Sequence, residues 1–178
     1  YPHNSFTEDI VNTGFHPFTF LTIGVAQGDY DGDGKIDMYL NDLGRNFLFK
    51  NNGNGYHTDV TFDAGVEHLM WFHGNDTILT RGGGTNFMDY DNDGDLDLFI
   101  ANGSGRPHSG YNTSATYDEF PDAFFENNGN GQFTDIAANI GLQNPRRGRG
   151  SVTFDYDNDG DLDILLVNQK RYKQYGQA

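Results

Sequence analysis

Three nine-residue stretches carry acidic residues at a spacing that suits metal coordination. In Asp29-Tyr30-Asp31-Gly32-Asp33-Gly34-Lys35-Ile36-Asp37, carboxylates stand at positions 1, 3, 5 and 9 and a glycine at position 6. The pattern recurs as Asp89-Tyr90-Asp91-Asn92-Asp93-Gly94-Asp95-Leu96-Asp97 and as Asp155-Tyr156-Asp157-Asn158-Asp159-Gly160-Asp161-Leu162-Asp163. Alternate side chains at positions 1, 3 and 5 converge on a hard cation, and the glycine permits the sharp bend. The backbone carbonyl of position 7 adds a further oxygen; it belongs to Lys35, Asp95 and Asp161, and a lysine serves because only its backbone is needed. Carboxylate and carbonyl oxygens select Ca²⁺ over softer metals. Of the 26 acids in the chain, 14 fall inside these windows, counted as four, five and five. Read as solvated turns without metal, such crowded carboxylates would repel one another, so about three bound calcium ions are expected.

The spacing is that of the first part of an EF-hand loop, and the departure from that loop is informative. The bidentate glutamate expected at position 12 is replaced by Leu40, Ile100 and Leu166, and no helical pattern flanks the windows. Asp37, Asp97 and Asp163 are therefore expected to complete the shell.

The elements that hold these loops are short strands. Apolar runs follow each window: Ile36-Asp37-Met38-Tyr39-Leu40, Leu96-Asp97-Leu98-Phe99-Ile100, and Leu162-Asp163-Ile164-Leu165-Leu166-Val167. They are too short for helices and read as buried strands. A second signature, Asn51-Asn52-Gly53-Asn54-Gly55, recurs as Asn127-Asn128-Gly129-Asn130-Gly131. Asn-Gly pairs between apolar strands mark hairpins, because both residues tolerate positive φ. Gly24, Gly84 and Gly150 lie five residues before the three windows. Each unit thus reads as strand, acidic loop, strand, strand, hairpin, strand, the order of a four-stranded propeller blade.

The expected fold is all-β, a single β-repeat domain over residues 1–178 with three propeller-type blades. Repeat one spans about 21–66, repeat two about 81–142, and a partial repeat three about 147–168. Residues 1–14 look like a strand completing a repeat, since Phe6-Thr7-Glu8-Asp9-Ile10 matches Phe133-Thr134-Asp135-Ile136. Loop-to-hairpin spacing is 22 from Asp29 to Asn51 and 38 from Asp89 to Asn127, a sixteen-residue difference. It places an insertion at about 103–122, expected to be a polar surface excursion dispensable for folding. Its Tyr111, Tyr117 and Phe120 could contact a glycan or a partner. Three loops with two complete hairpins do not close a ring of the usual four to eight blades.

Composition narrows the function. The 178 residues carry 24 Gly, 5 Pro and 15% aromatic side chains, a mixture of strands and tight turns. A net charge of -15 argues against nucleic acid and anionic membrane surfaces as partners. No cysteine is present, and the run Ile164 to Val167 is far too short for a bilayer, so a soluble protein is expected. The sequence starts at Tyr1 without an initiator Met or a signal peptide, as a mature or excised chain would. No nucleophile elbow or zinc-protease pattern is found, so no enzyme is expected. His68 and His73 with Glu67 fit no named site, and Arg146, Arg147 and Arg149 form a small basic patch. Asn75-Asp76-Thr77, Asn102-Gly103-Ser104 and Asn112-Thr113-Ser114 match the N-glycosylation acceptor pattern.

The acidic windows at 89–97 and 155–163, with the upstream glycine and the Asn-Asn-Gly-Asn-Gly hairpin, resemble the FG-GAP/VCBS repeats of integrin α-subunit propellers. The similarity is nearest to bacterial members of the UnbV/ASPIC type, and it leaves out 103–122, the segment near 67–80 and the tail after Asn168. It implies propeller-type blades, an extracellular or cell-surface setting, and calcium in a structural role. Two binding-class functions follow. One is a structural or adhesion protein that assembles with copies of itself head to tail, by strand addition, into a filament or ring. The other is a fragment of a longer propeller that binds a glycan or a protein.

Overall fold

A computed structural model of the chain describes residues 24–42, 46–67, 71–73, 76–79, 82–103, 106–107, 120–143 and 147–169. The expected N-terminal strand at 1–14, His68, Arg146, Asn75, Asn112, Tyr111 and Tyr117 lie outside the described residues. Every regular element among them is a strand. No helix among them is long and apolar enough to cross a membrane.

The first sheet runs in chain order: β1 (Gly24–Gly28), β2 (Asp37–Asn41), β3 (Phe47–Asn51) and β4 (His57–Asp59), all antiparallel. Strands β5 (Trp71–His73) and β6 (Asp76–Leu79) follow. The second sheet repeats the first with β7 (Gly82–Met88), β8 (Asp97–Asn102), β10 (Ala123–Asn127) and β11 (Phe133–Asp135). Between β8 and β10, the two-residue β9 (Arg106–Pro107) pairs with β6 to make a three-stranded sheet with β5. The last sheet is the antiparallel pair β12 (Gly148–Phe154) and β13 (Asp163–Asn168). The all-β fold of incomplete propeller-like repeats is as expected.

Several findings differ from the sequence reading. The insertion is not wholly a surface excursion: Arg106–Pro107 joins a sheet, and Phe120 and Asp122 are buried. A buried Phe120 is not a surface for a glycan. His73, which the sequence suggests lies in a surface loop beside Trp71, is on strand β5. Asn102 is fully buried, and its amide donates to the Pro121 carbonyl at 2.7 Å, so this acceptor pattern offers no outward nitrogen for a glycan.

The sheets pack face to face. One core lies between the first and second, where Tyr39, Leu48 and Val66 meet Leu98, Ile100, Phe125 and Phe133. A second core joins Phe99 and Phe124 to Ile164 and Leu166 of the last pair. Central strands covered on both faces bury every residue, as β8 does, which is why their sequence is nearly continuous apolar. β13 was expected to be buried like its counterparts. It is half-buried on one side, by Ile164 and Leu166, and open on the other: Leu165 and Val167 are 53% and 57% exposed, as no described strand lies against that face.

Glycine sets the spacing between sheets. A Cβ on Gly24 would stand 2.4 Å from the Gly83 carbonyl oxygen, and one on Gly84 only 2.1 Å from the Ser151 nitrogen. Close approach of neighbouring first strands therefore requires glycine at these positions. The third member of the series, Gly150, faces open space.

Candidate metal centre

Each acidic window is the connection between the first two strands of its sheet. Gly28 is paired with Asp37, Met88 with Asp97 and Phe154 with Asp163, so the ladder brings positions 1 and 9 of each loop together. The loops then fold by one plan. The carboxylate of position 1 accepts two backbone N–H groups: Asp29 from Asp33 at 3.0 Å and Gly34 at 2.8 Å, Asp89 from Asp93 and Gly94, and Asp155 from Asp159 and Gly160. The carboxylate of position 5 accepts the N–H of position 7, as Asp33 does from Lys35, Asp93 from Asp95 and Asp159 from Asp161. Position 6 has φ of 82°, 96° and 98°, a left-handed conformation that only glycine adopts cheaply. Position 4 is also left-handed, and Asn92 and Asn158 hold it where the first loop has Gly32.

Position 9 ties loop to hairpin. Asp37 accepts Tyr30 N–H at 3.2 Å on one oxygen and Asn51 N–H at 2.7 Å on the other. Asp97 does the same with Tyr90 and Asn127. Both are fully buried, and burial pushes their carboxyls above the ordinary range against the pull of these donors. Asp163 keeps only the bond from Tyr156 and is exposed. No hairpin strand lies beside it among the described residues.

The asparagines of the hairpins complete the arrangement, a role that turn statistics alone do not reveal. Asn51 donates its side-chain amide to the Ile36 carbonyl at 3.0 Å, and Asn127 donates to the Leu96 carbonyl at 3.2 Å. Their side-chain oxygens accept Gly53 and Gly129 N–H. Asn127 also reaches the Tyr30 carbonyl of the previous loop at 2.8 Å. Acidic loop and Asn-Gly hairpin are thus one hydrogen-bonded unit, and neighbouring units are linked through it. Tyr30 itself is buried, with its ring centroid 5.8 Å from that of Phe133, and its phenol is pushed up to about 12, first by burial and then by Asp31.

Three carboxylates gather in each loop, with ligand atoms within 4.8 Å of one another: Asp29, Asp31 and Asp33; Asp89, Asp91 and Asp97; Asp155, Asp157 and Asp163. Positions 1 and 3 belong to all three groups. The third member is position 5 in the first loop and position 9 in the others, so Asp37, Asp93 and Asp159 stand outside their groups. Of the position-7 residues, Lys35 pairs its ammonium with Asp33 at 2.7 Å, Asp161 accepts from Asn92 at 3.2 Å, and the Asp95 carboxylate lies close over Gly129. The donors fit a hard divalent cation. Asp31 Oδ1 in particular is buried without a hydrogen-bond partner, an acceptor that a cation would satisfy.

The first loop differs in one respect the spacing did not disclose. Lys50, from β3, lays its ammonium on Asp31 Oδ2 and 3.5 Å from Asp33 Oδ2. The Asp31 contact holds Lys50 above its usual pKa, and the bond from Lys35 holds Asp33 below its own. Elsewhere, the Arg149 guanidinium binds the Gln169 side-chain oxygen through Nε at 2.8 Å.

Comparison with known proteins agrees with this geometry. The model of the FG-GAP-like repeat matches twice, over residues 29–100 and 89–166. The chain is 29% identical over 148 residues to cartilage acidic protein 1 of Xenopus tropicalis and 31% identical over 146 residues to that of Homo sapiens. Each match covers 82% of this chain but 19% of the relative, so the chain spans about a fifth of the length of these proteins. With repeated acidic loops on repeated four-stranded sheets and two matches that together cover most of the sequence, the chain belongs to the FG-GAP-like repeat family.

Proposed function

We propose that the chain is a non-enzymatic structural or adhesion module, secreted or on the cell surface, whose repeats are stabilised by calcium. The observation that carries this reading is the gathering of three carboxylates within 4.8 Å in every loop. When bound, Ca²⁺ supplies the positive charge that lets these acids stand together. The chain supplies the position-1, position-5 and position-9 carboxylates, each held by backbone N–H groups, together with the position-3 carboxylate and the position-7 carbonyl. The relatives named for cartilage support the extracellular placement. Titrating chelator-treated protein with calcium by calorimetry is expected to give three sites, and Asp91→Ala two, because each loop brings its own ligands. Absence of binding, or an unchanged stoichiometry in the variant, would overturn the reading.

The open face of the last sheet favours a second element of function. Val152, Phe154, Leu165 and Val167 are 38–57% exposed on β12 and β13, and Gly150 has nothing against it. The equivalents of Phe154 and Leu165, Met88 and Phe99, are buried against the next sheet. The reading is that another repeat covers this face. It comes from a second copy joined head to tail through residues 1–14, whose sequence resembles a closing strand, giving a filament or ring. The alternative source is a longer chain of the same protein, acting as a glycan- or protein-binding propeller, and the share of the relatives' length covered supports that source.

A further inference from the structure

The three loops are alike in backbone and unlike in countercharge. Lys50 stands on β3 opposite Thr58, and at the same register of the second sheet Glu126 stands on β10 opposite Thr134. Lys35 holds position 7 of the first loop, where the others have Asp95 and Asp161. Both lysines are fixed by the fold. Lys50 bonds Asp31 and lies near Asp33, while Lys35 bonds Asp33 and runs its stem across the hairpin, where a Cβ on Gly53 would come within 2.7 Å of it. No described lysine or arginine is ion-paired to the second or third loop.

We propose that Lys50, assisted by Lys35, is a built-in counter-ion of the first loop, so that the three calcium sites are graded, with the first weak and the other two tight. The inference rests on the calcium reading above. Two charges of the same sign share the ligands Asp31 and Asp33, and an incoming divalent ion must either displace the ammonium or bind beside it. The same ammonium neutralises the first loop without metal, so the first sheet holds its loop when calcium is scarce. The second and third loops, with five acids each and no such partner among the described residues, depend on the ion.

The test uses the full chain and calcium alone. Calorimetric titration of the wild type is expected to resolve two tight sites and one at least about tenfold weaker. Lys50→Met, which keeps the stem and removes the charge, should tighten the weak class by about tenfold and leave the others unchanged. Glu126→Lys should weaken one tight site by a similar factor. Melting in excess chelator gives an independent readout: Lys50→Met should lower the midpoint there and recover it in saturating calcium. Three equal sites in the wild type, or a weak class indifferent to Lys50→Met, would overturn the grading while leaving the calcium reading intact. No binding by any loop would overturn both.

Discussion

At the scale of single residues, the loops were legible because their carboxylates recur at a fixed spacing and each turn needs a left-handed position. What the spacing could not show is which carboxylate also serves the fold. Asp37 and Asp97 were expected as ligands; the structure shows each as a buried acceptor for two backbone N–H groups, and only Asp97 also belongs to the carboxylate group of its loop. Such a role depends on a strand some fourteen or thirty residues away. Asp122 shows a related effect. Its Oδ1 accepts Asn102 N–H at 2.6 Å, just as Asn46 accepts Asp42 N–H in the first sheet, but Oδ2 is buried without a partner. Burial pushes this carboxyl up to about 7, although the Asn102 bond opposes the shift. An unfolded aspartate titrates near 3.9, so the folded chain holds this proton more tightly. The group's contribution to stability is therefore full below about pH 4 and is lost as pH rises to about 7. Asp122→Asn, which installs the residue the first sheet uses, should remove that slope. At pH 8 in saturating calcium it should raise stability by on the order of 1–3 kcal/mol, and near pH 4 the two proteins should converge. Denaturant melts at the two pH values check this, and equal stabilities at pH 8 would show that Asp122 is not strained by its charge.

At the scale of elements, strand order within a repeat could be read from alternating motifs, since each connection carries its own turn chemistry. The segment at 71–79 was less legible. Its strands β5 and β6 find a partner in Arg106–Pro107, far along the chain, and no local pattern announces a long-range pairing of two residues. The upstream glycines recur in the sequence, but their cause is tertiary: they let first strands approach within backbone contact. Gly84 and Gly150 occupy equivalent places with opposite surroundings, which makes them a matched pair of probes. Gly84→Ala forces a methyl group onto the Ser151 backbone and should cost about 1–3 kcal/mol. Gly150→Ala meets open space and should be neutral, or stabilising by a few tenths of a kcal/mol, through loss of chain entropy in the unfolded state. Equal effects of the two changes, measured as denaturation midpoints of monomeric protein, would mean that the sheets do not pack as described.

At the scale of the whole molecule, the second four-stranded sheet packs on the first through one core and on the last pair through another, and no described strand covers the forward face of that pair. If a second copy covers that face, as proposed, the contact is heterologous and repeated copies would close into a ring or extend as a filament. Head-to-tail joining is expected to appear as multimers by light scattering in calcium. Deleting residues 1–12 should abolish them, and Gly150→Ala should weaken them without lowering the stability of the monomer. A strictly monomeric intact chain, or multimers that survive the deletion, would refute strand donation and leave the longer-propeller reading. The central claim, however, is that the ion holds the repeats together. The chain carries a net charge of -15 with 14 acids in three loops, a local repulsion that bound calcium would relieve. Binding to the native state alone raises stability by about 2.7 kcal/mol per site at a hundredfold excess over Kd. Thermal melting in millimolar calcium and again in excess chelator is the most direct test. The account expects a midpoint lower by many degrees in chelator and restored when calcium is added back; an unchanged midpoint would contradict it.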